Sequence, residues 1–259
     1  MPERSAGIDA AGSARRYRLV LALSIVLCGG LALLGLAIGP AGADFAPADV
    51  LNVLGGHIPG LAVPAPDPVA DVIVWEVRLP RVLAAGLVGA LLALAGVALQ
   101  GLLMNPLADP YTIGASAGAA VGAAAAEVAG VAALAGGLSG VGAAFVSALA
   151  SAAFVYTLAR VGGRISVHTV LLAGVVVGTL LWSLIPLLMV LAGRGDDLQR
   201  IYFDLIGSLQ GADWARVWLL VPFMALTVGI LSRFRRELNI ITLGEETAYH
   251  QGVPVESFK

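Results

Sequence analysis

The sequence predicts an all-α protein, a polytopic bundle of transmembrane helices. Hydrophobic residues make up 59% of its 259 residues and charged residues only 12%, far below the roughly 25% charge of soluble domains. The apolar residues also fall into nearly charge-free runs close to the roughly 20 residues that a helix needs to cross a bilayer. The net charge of -2 leaves no basic surface for nucleic acid, so membrane lipid is an expected partner and nucleic acid is not.

Six runs are long enough to cross the bilayer. The predicted spans are 19–39, 82–104, 111–133, 140–159, 168–192 and 214–232. They form a transmembrane domain at 19–232, with an N-terminal arm at 1–18 and a C-terminal segment at 233–259. The first run also allows a cleavable signal peptide ending near Ala43, but its apolar core exceeds the roughly 7–15 residues typical of a signal.

The basic residues predict the orientation, because Lys and Arg in short loops favour the cytoplasm. An N-terminus in the cytoplasm places most of them inside, together with the C-terminal segment. Arg78 and Arg81 then lie outside, against this trend.

Glycines at helical spacing predict close helix packing, since small residues let backbones approach in lipid. They are Gly114, Gly118, Gly122, Gly174 and Gly178. The run 114–118 also fits the G-x-S-x-G pattern of a serine hydrolase, with Ser116 as nucleophile and His168 as base. That pattern requires a strand-turn-helix context, and the packing face already accounts for the glycines.

Nothing in the sequence supplies energy for transport. The only lysine is Lys259 and there is no G-x-x-x-x-G-K-[ST] motif, so ATP bound by a phosphate loop is excluded. Glu127 is the only charge in 110–159, which argues against an ion relay. We expect no catalytic residue, metal or cofactor in this chain. An ATPase would be a separate subunit, unless the protein is an ATP-independent carrier.

The C-terminal segment predicts a short helix at about 243–251. Thr242 and Glu245 have the spacing of a capping box, Glu245 and Glu246 suit the positive end of a helix dipole, and Gly252 supplies the stop. Capping fits a surface helix and a docking helix equally well.

Several motifs, in order from Trp75 to Val253, resemble one family. They are RLPRVLAAGLVGALLALAGVALQGLLMNPLADP (78–110), YTIGASAGAAVGA (111–123), LLAGVVVGTLLWS (171–183), FDLIGSLQGADW (203–214) and NIITLGEETAYHQGV (239–253). Together they resemble the FecCD-type permease subunits of ABC importers for iron-siderophores, haem and cobalamin.

The resemblance implies a permease of the bacterial or archaeal cytoplasmic membrane that carries a metal chelate. A ferric siderophore is the expected substrate, with cobalamin or haem as alternatives. The implied partners are a second permease, either an identical copy or a close paralogue, two ATP-binding subunits that use ATP and Mg²⁺, and a periplasmic or lipid-anchored binding protein. Family permeases have ten spans, so we expect this chain to be incomplete and to lack four further spans that would follow Lys259.

The resemblance also implies roles for matching residues. Arg78 and Arg81 would dock the binding protein, and 204–213 would form the outer gate. The helix that couples to the ATPase would include Thr242, Leu243, Gly244, Glu245, Glu246, Ala248 and Gly252. The translocation path would be lined by Leu172, Val176, Thr179, Ser183 and Met189.

Overall fold

The protein is described by a computed structural model, which covers residues 10–39, 44–161, 164–192 and 195–255. The predicted N-terminal arm therefore lies partly outside the described residues, as do the last four residues of the C-terminal segment. Within the described residues the fold is helical apart from one two-residue antiparallel ladder. The predicted all-α class is confirmed.

The elements follow one another along the chain with connections of up to 12 residues. In order they are α1 (Ala10–Ala37), α2 (Pro47–Gly56), α3 (Pro68–Asp71), a π-helical segment (Val72–Arg78), α4 (Leu79–Leu102), α5 (Ala115–Val128), a 3-10 turn (Leu134–Gly137), α6 (Leu138–Ala159), β1 (Arg160–Val161), β2 (Arg164–Ile165), α7 (Val167–Ala192), α8 (Gly195–Ile206), α9 (Trp214–Arg233), α10 (Arg235–Ile241) and α11 (Glu245–His250).

Five helices in the described ranges are long and apolar enough to cross a membrane. They are Gly12–Ala37, Pro68–Leu102, Leu138–Ala159, Val167–Ala192 and Trp214–Arg233. Three match predicted spans closely, whereas the first two begin well before the predicted residues 19 and 82. The third predicted span, 111–133, contains only the 14-residue helix α5, so its length was overestimated.

The short length of α5 has a local cause on each side. Before it, the backbone N–H of Thr112 donates to the Asp109 carboxylate at 2.8 Å, and the N–H of Asp109 donates to the Thr112 hydroxyl at 3.1 Å. After it, Gly130 takes a left-handed φ of 69°, which glycine adopts without steric cost. The apolar residues of the predicted span 111–133 that lie before and after α5 therefore belong to turns.

Two compact units divide the chain. The first contains the described residues up to Gly86 together with Ala212–Trp218, and the second contains Leu87–Gly211 and the described residues from Leu219 onward. The core of the first unit is a buried cluster of Leu36, Val50, Val53, Ala70 and Val74. In the second unit, α5 packs against α6, α7 and α8.

Candidate functional sites

The RLPR segment lies where the π-helical turn passes into α4. Pro80 has no N–H and cannot donate a helical hydrogen bond, and the N–H of Leu79 donates to the carbonyl of Val74. The Trp75 carbonyl would ordinarily accept a hydrogen bond from the N–H of residue 79 in an α turn or of residue 80 in a π turn. Neither residue supplies it. Instead, the indole Nε1–H of Trp214 donates to that oxygen at 3.2 Å.

Arg78 joins this segment to the end of α1. Its Nη1 donates to the carbonyl oxygens of Leu36 at 2.7 Å and of Ala37 at 2.8 Å, which are acceptors at a helix C-terminus, where positive charge is favoured. The guanidinium carbon also lies 5.0 Å from the centre of the Phe45 ring. Arg78 is only 7% exposed. Little of the Arg78 guanidinium is therefore open to a partner, and its predicted docking role stays a prediction.

Arg81 occupies a different environment. It is half-buried and lines a groove with Ile38, Ile73 and Val77, into which Arg78 also extends. Of the two arginines, Arg81 keeps the greater access to a molecule outside the chain.

An aromatic stack lies beside the π-helical turn. The ring of His57, the residue that caps α2, stacks on Trp75 with centroids 3.7 Å apart and planes 8° apart. Trp214 completes the group, with its ring 5.4 Å from Trp75. These three residues were not predicted as a site, although tryptophans near the ends of spans are typical of a membrane interface.

Helix α7 has two opposite faces. Gly174, Val177, Gly178 and Ile185 are buried, whereas Leu172, Val176, Thr179 and Ser183 are exposed. At about 100° per residue these four fall on one stripe opposite the glycines. Met189 is half-buried and lies closer to the glycine side, so the five residues predicted for the translocation path do not share one face.

The glycines lie where the backbones of α5, α6 and α7 come close. A Cβ on Gly118 would lie 2.6 Å from the Ser151 Cβ, and one on Gly122 would lie 2.5 Å from the Ala143 carbonyl oxygen. A Cβ on Gly174 would overlap the Thr112 carbonyl oxygen. Gly114 caps α5 with a φ of 76°, and its carbonyl accepts a hydrogen bond from the Ser151 hydroxyl at 2.9 Å.

The predicted coupling segment contains two helices, α10 and α11. The capping box predicted for it is not formed, because Gly244 is the N-cap of α11 and the Thr242 hydroxyl donates instead to the carbonyl of Asn239 at 2.7 Å. Gly252 ends the segment with a φ of 79°, as glycine commonly does after a helix. The described helix therefore covers only Glu245–His250.

One side of α11 is anchored and the other is open. Ala248 is fully buried in a cluster that also contains Ile240, Ile241, Val253 and Val255, with Met104 packed against it. The other side exposes the acidic and aromatic side chains of Glu245, Glu246 and Tyr249, and Leu243, which lies just before the helix, is exposed beside them in the sequence. A short helix held by one alanine thus presents a mixed surface to a partner.

The segment 204–213 begins at the end of α8 and continues as a loop. Ile201 anchors α8 with 1% exposure, and the Arg200 guanidinium lies 4.0 Å from the Glu127 carboxylate at the end of α5. Partial burial raises the pKa of the Asp204 carboxyl above its ordinary value. Loss of hydration disfavours the charged form of a carboxyl group.

The hydrolase alternative finds no support in the local structure. Ser116 lies in the first turn of α5, which the chain enters from a turn instead of a strand, so the nucleophile elbow is not formed. In the part of the chain that the structure describes, no group of three His, Cys, Asp or Glu side chains is placed to hold a metal ion.

Comparisons with known proteins agree on one family. The sequence profile of the FecCD transport family matches residues 23–259. The uncharacterized ABC transporter permease protein YvrB of Bacillus subtilis is 41% identical over 77% of this chain and 57% of its own length. The cobalamin import system permease protein BtuC of Halobacterium salinarum is 38% identical over 73% of this chain and 50% of its own length.

A solved structure gives the same answer for the fold. An inward-facing conformation of a metal-chelate type ABC transporter is similar with a TM-score of 0.74 and 28% identity, over 93% of this chain and 70% of that one. The chain matches only about half the length of the curated relatives. The extent of the profile match and the identity to these relatives nevertheless lead to one conclusion: the chain belongs to the FecCD transport family.

Proposed function

We propose that this chain acts in the permease subunit of a binding-protein-dependent ABC importer in a bacterial or archaeal cytoplasmic membrane. Membership of the FecCD transport family supports this role, as do five helices of spanning length within the described ranges. ATP would be hydrolysed by two separate subunits, and a second permease copy would complete the pathway.

The observation that carries the proposal is the open surface of α11. Ala248 fixes the helix to the protein, while Leu243 and Tyr249 expose large apolar surfaces beside the carboxylates of Glu245 and Glu246. Tyrosine is enriched among the residues that dominate binding energy at protein interfaces. We assign this surface to the ATP-binding subunit, on the cytoplasmic side.

The exposed face of α7 supports a translocation path. Leu172 and Val176 offer apolar surface, and the hydroxyls of Thr179 and Ser183 bond back to their own helix, to the carbonyls of Val176 at 2.9 Å and of Leu180 at 2.6 Å. Such a face presents few free polar groups to a large solute. It suits a bulky chelate more than a small hydrated ion.

Docking of the binding protein is assigned to the opposite side of the membrane, at Arg81. Its guanidinium would pair with a carboxylate of that protein, and charge-assisted pairs of this kind are among the stronger polar contacts. Arg78 would act indirectly, by holding the segment against the end of α1.

The substrate class is a metal chelate. The relative from Halobacterium and one from Salmonella, which is 34% identical, are both named for cobalamin or vitamin B12 import. We therefore place cobalamin first. A ferric siderophore, which the family resemblance led us to expect, is the alternative outcome of the same uptake assay.

The ATPase assignment is tested with two exposed tyrosines. The chain is produced with its ATP-binding subunit, and copurification is measured for Tyr249→Ala on α11 and Tyr17→Ala on α1, since these residues are 74% and 69% exposed. We expect Tyr249→Ala to weaken association about fivefold or more, the loss typical of an interface anchor, and Tyr17→Ala to leave it unchanged. Equal copurification of both variants would contradict the assignment.

The substrate is tested by transport. Proteoliposomes that hold the complex, with ATP on the nucleotide-binding side and binding protein on the other, are offered labelled cobalamin or a labelled ferric siderophore. Uptake of one but not the other identifies the substrate. ATP-independent uptake of either would contradict the importer proposal.

A further inference from the structure

The aromatic contact between Trp75 and Trp214 joins two segments for which the family resemblance implies different roles. Trp75 lies one helical turn before Arg78, on the segment that leads to Arg81. Trp214 is the first residue of α9. It directly follows 204–213, the segment that the family resemblance predicts to form the outer gate. Both tryptophans belong to the first compact unit, although α8 belongs to the second.

The hydrogen bond from the Trp214 indole to the Trp75 carbonyl has a specific chemical cause. The carbonyl of Trp75 cannot receive the usual donor from the next turn, because Pro80 has no N–H and the N–H of Leu79 is bonded to Val74. An unsatisfied carbonyl in a partly buried place is costly. The indole N–H of Trp214 satisfies it at 3.2 Å, so a side chain 139 residues away replaces a local backbone donor.

The surroundings hold both rings in place. His57 stacks closely and nearly parallel on the Trp75 ring, and the His57 Nδ1 lies 3.1 Å from the Val53 carbonyl oxygen. On the Trp214 side, the carboxylate of Asp213 accepts a hydrogen bond from the N–H of Arg216 at 2.9 Å. This bond fixes the first turn of α9. The hydrogen bond from Trp214 is thus a direct connection through which a displacement of the π-helical turn would reach α9.

We propose that Trp214 is a positioning residue that transmits docking of the binding protein at Arg81 to the gate segment 204–213. The inference rests on the proposed importer function and adds a route to it. The route runs from Arg81 along the helix to Trp75, across the hydrogen bond to Trp214, and through the chain into the segment that precedes it.

The test removes the hydrogen bond and keeps an aromatic ring. Trp214→Phe loses the indole donor, while Trp218→Phe is the matched control, because Trp218 lies on the same helix and is 66% exposed. Each variant is assembled with its ATP-binding subunits in proteoliposomes. ATP hydrolysis and uptake are then measured at increasing concentrations of binding protein.

For Trp214→Phe we expect the half-saturating concentration of binding protein to stay within about twofold. The maximal stimulation of ATP hydrolysis and of uptake should fall about fivefold, the loss of one hydrogen bond of ordinary strength. Basal ATP hydrolysis should not change. A merely structural role would lower basal and stimulated hydrolysis together. That result, or full stimulation in the variant, would overturn the proposal.

A third variant separates this inference from the docking proposal. Arg81→Glu should raise the half-saturating concentration of binding protein, because a carboxylate would then face a carboxylate. If Arg81→Glu binds normally, the docking proposal fails. If Arg81→Glu loses binding and Trp214→Phe keeps full stimulation, docking stands and the route through Trp214 fails.

Discussion

Gly174 and Gly178 on α7 form a matched pair for measuring how much crowding between α7 and the turn before α5 destabilises the protein. Gly174→Ala would place a Cβ onto the Thr112 carbonyl oxygen and 2.9 Å from the Ile113 Cα. Both are backbone atoms, and the hydrogen bonds between Asp109 and Thr112 fix this turn. In Gly178→Ala the nearest atom beyond its own stretch of helix would be the Gly114 Cα at 3.9 Å, an ordinary contact.

The magnitude follows from the difference between the two variants. Both gain the same helix propensity, about 1 kcal/mol for glycine to alanine, so the propensity cancels and the overlap remains. Overpacking of this kind costs roughly 1–3 kcal/mol. For a protein of this size, 1 kcal/mol shifts Tm by roughly 2–4 °C. We therefore expect Gly174→Ala to melt about 2–12 °C below Gly178→Ala.

The assay is thermal unfolding of the purified variants in one detergent, followed by circular dichroism of the helices. Gly178→Ala should melt at or slightly above the wild-type temperature. Equal melting temperatures for the two variants, or a lower one for Gly178→Ala, would refute the packing argument, because the chemical change is the same at both positions.

Two further predictions use the same assay. Arg78→Ala should lower the stability by roughly 3 kcal/mol, because it removes charge-assisted hydrogen bonds to two carbonyls at the end of α1; an unchanged Tm would show that these bonds are not needed. The raised pKa of Asp204 means that the folded state favours its neutral form, so its contribution to stability is full below the unfolded pKa and is lost as the pH rises through the raised folded pKa. Asp204→Asn should therefore flatten the dependence of Tm on pH just above the ordinary carboxyl range, and a variant with the wild-type profile would contradict this.

Hydropathy predicted the helices whose ends coincide with a change of composition. Helices α6, α7 and α9 begin and end within about two residues of the predicted spans, because polar or small residues flank each apolar run. Hydropathy did not predict the start of the second long helix, Pro68–Leu102. Glu76, Arg78 and Arg81 interrupt the hydropathy signal, but the helix continues through them from Pro68, since the charge of Arg78 is satisfied by carbonyls of α1.

The sequence motifs located the segments that form the candidate sites. They did not predict which side chains within those segments contact one another. The spacing of Thr242 and Glu245 suggested a capping box, but α10 extends to Ile241 and draws the Thr242 hydroxyl to its own end. No local pattern reports the partner of Arg78 or the pairing of Trp75 with Trp214. Both contacts join residues far apart in the chain, and tertiary packing decides such contacts.

The Trp75 carbonyl also has a consequence for how the protein is made. Its donor lies 139 residues further along the chain, and at roughly 5–20 residues per second a ribosome needs about 7–28 s to synthesise that length. During this interval the second long helix is already complete as a sequence, but one of its carbonyls still lacks its final donor. Water or the insertion machinery must serve that oxygen until α9 arrives, so the π-helical turn reaches its final hydrogen bonding late in biogenesis.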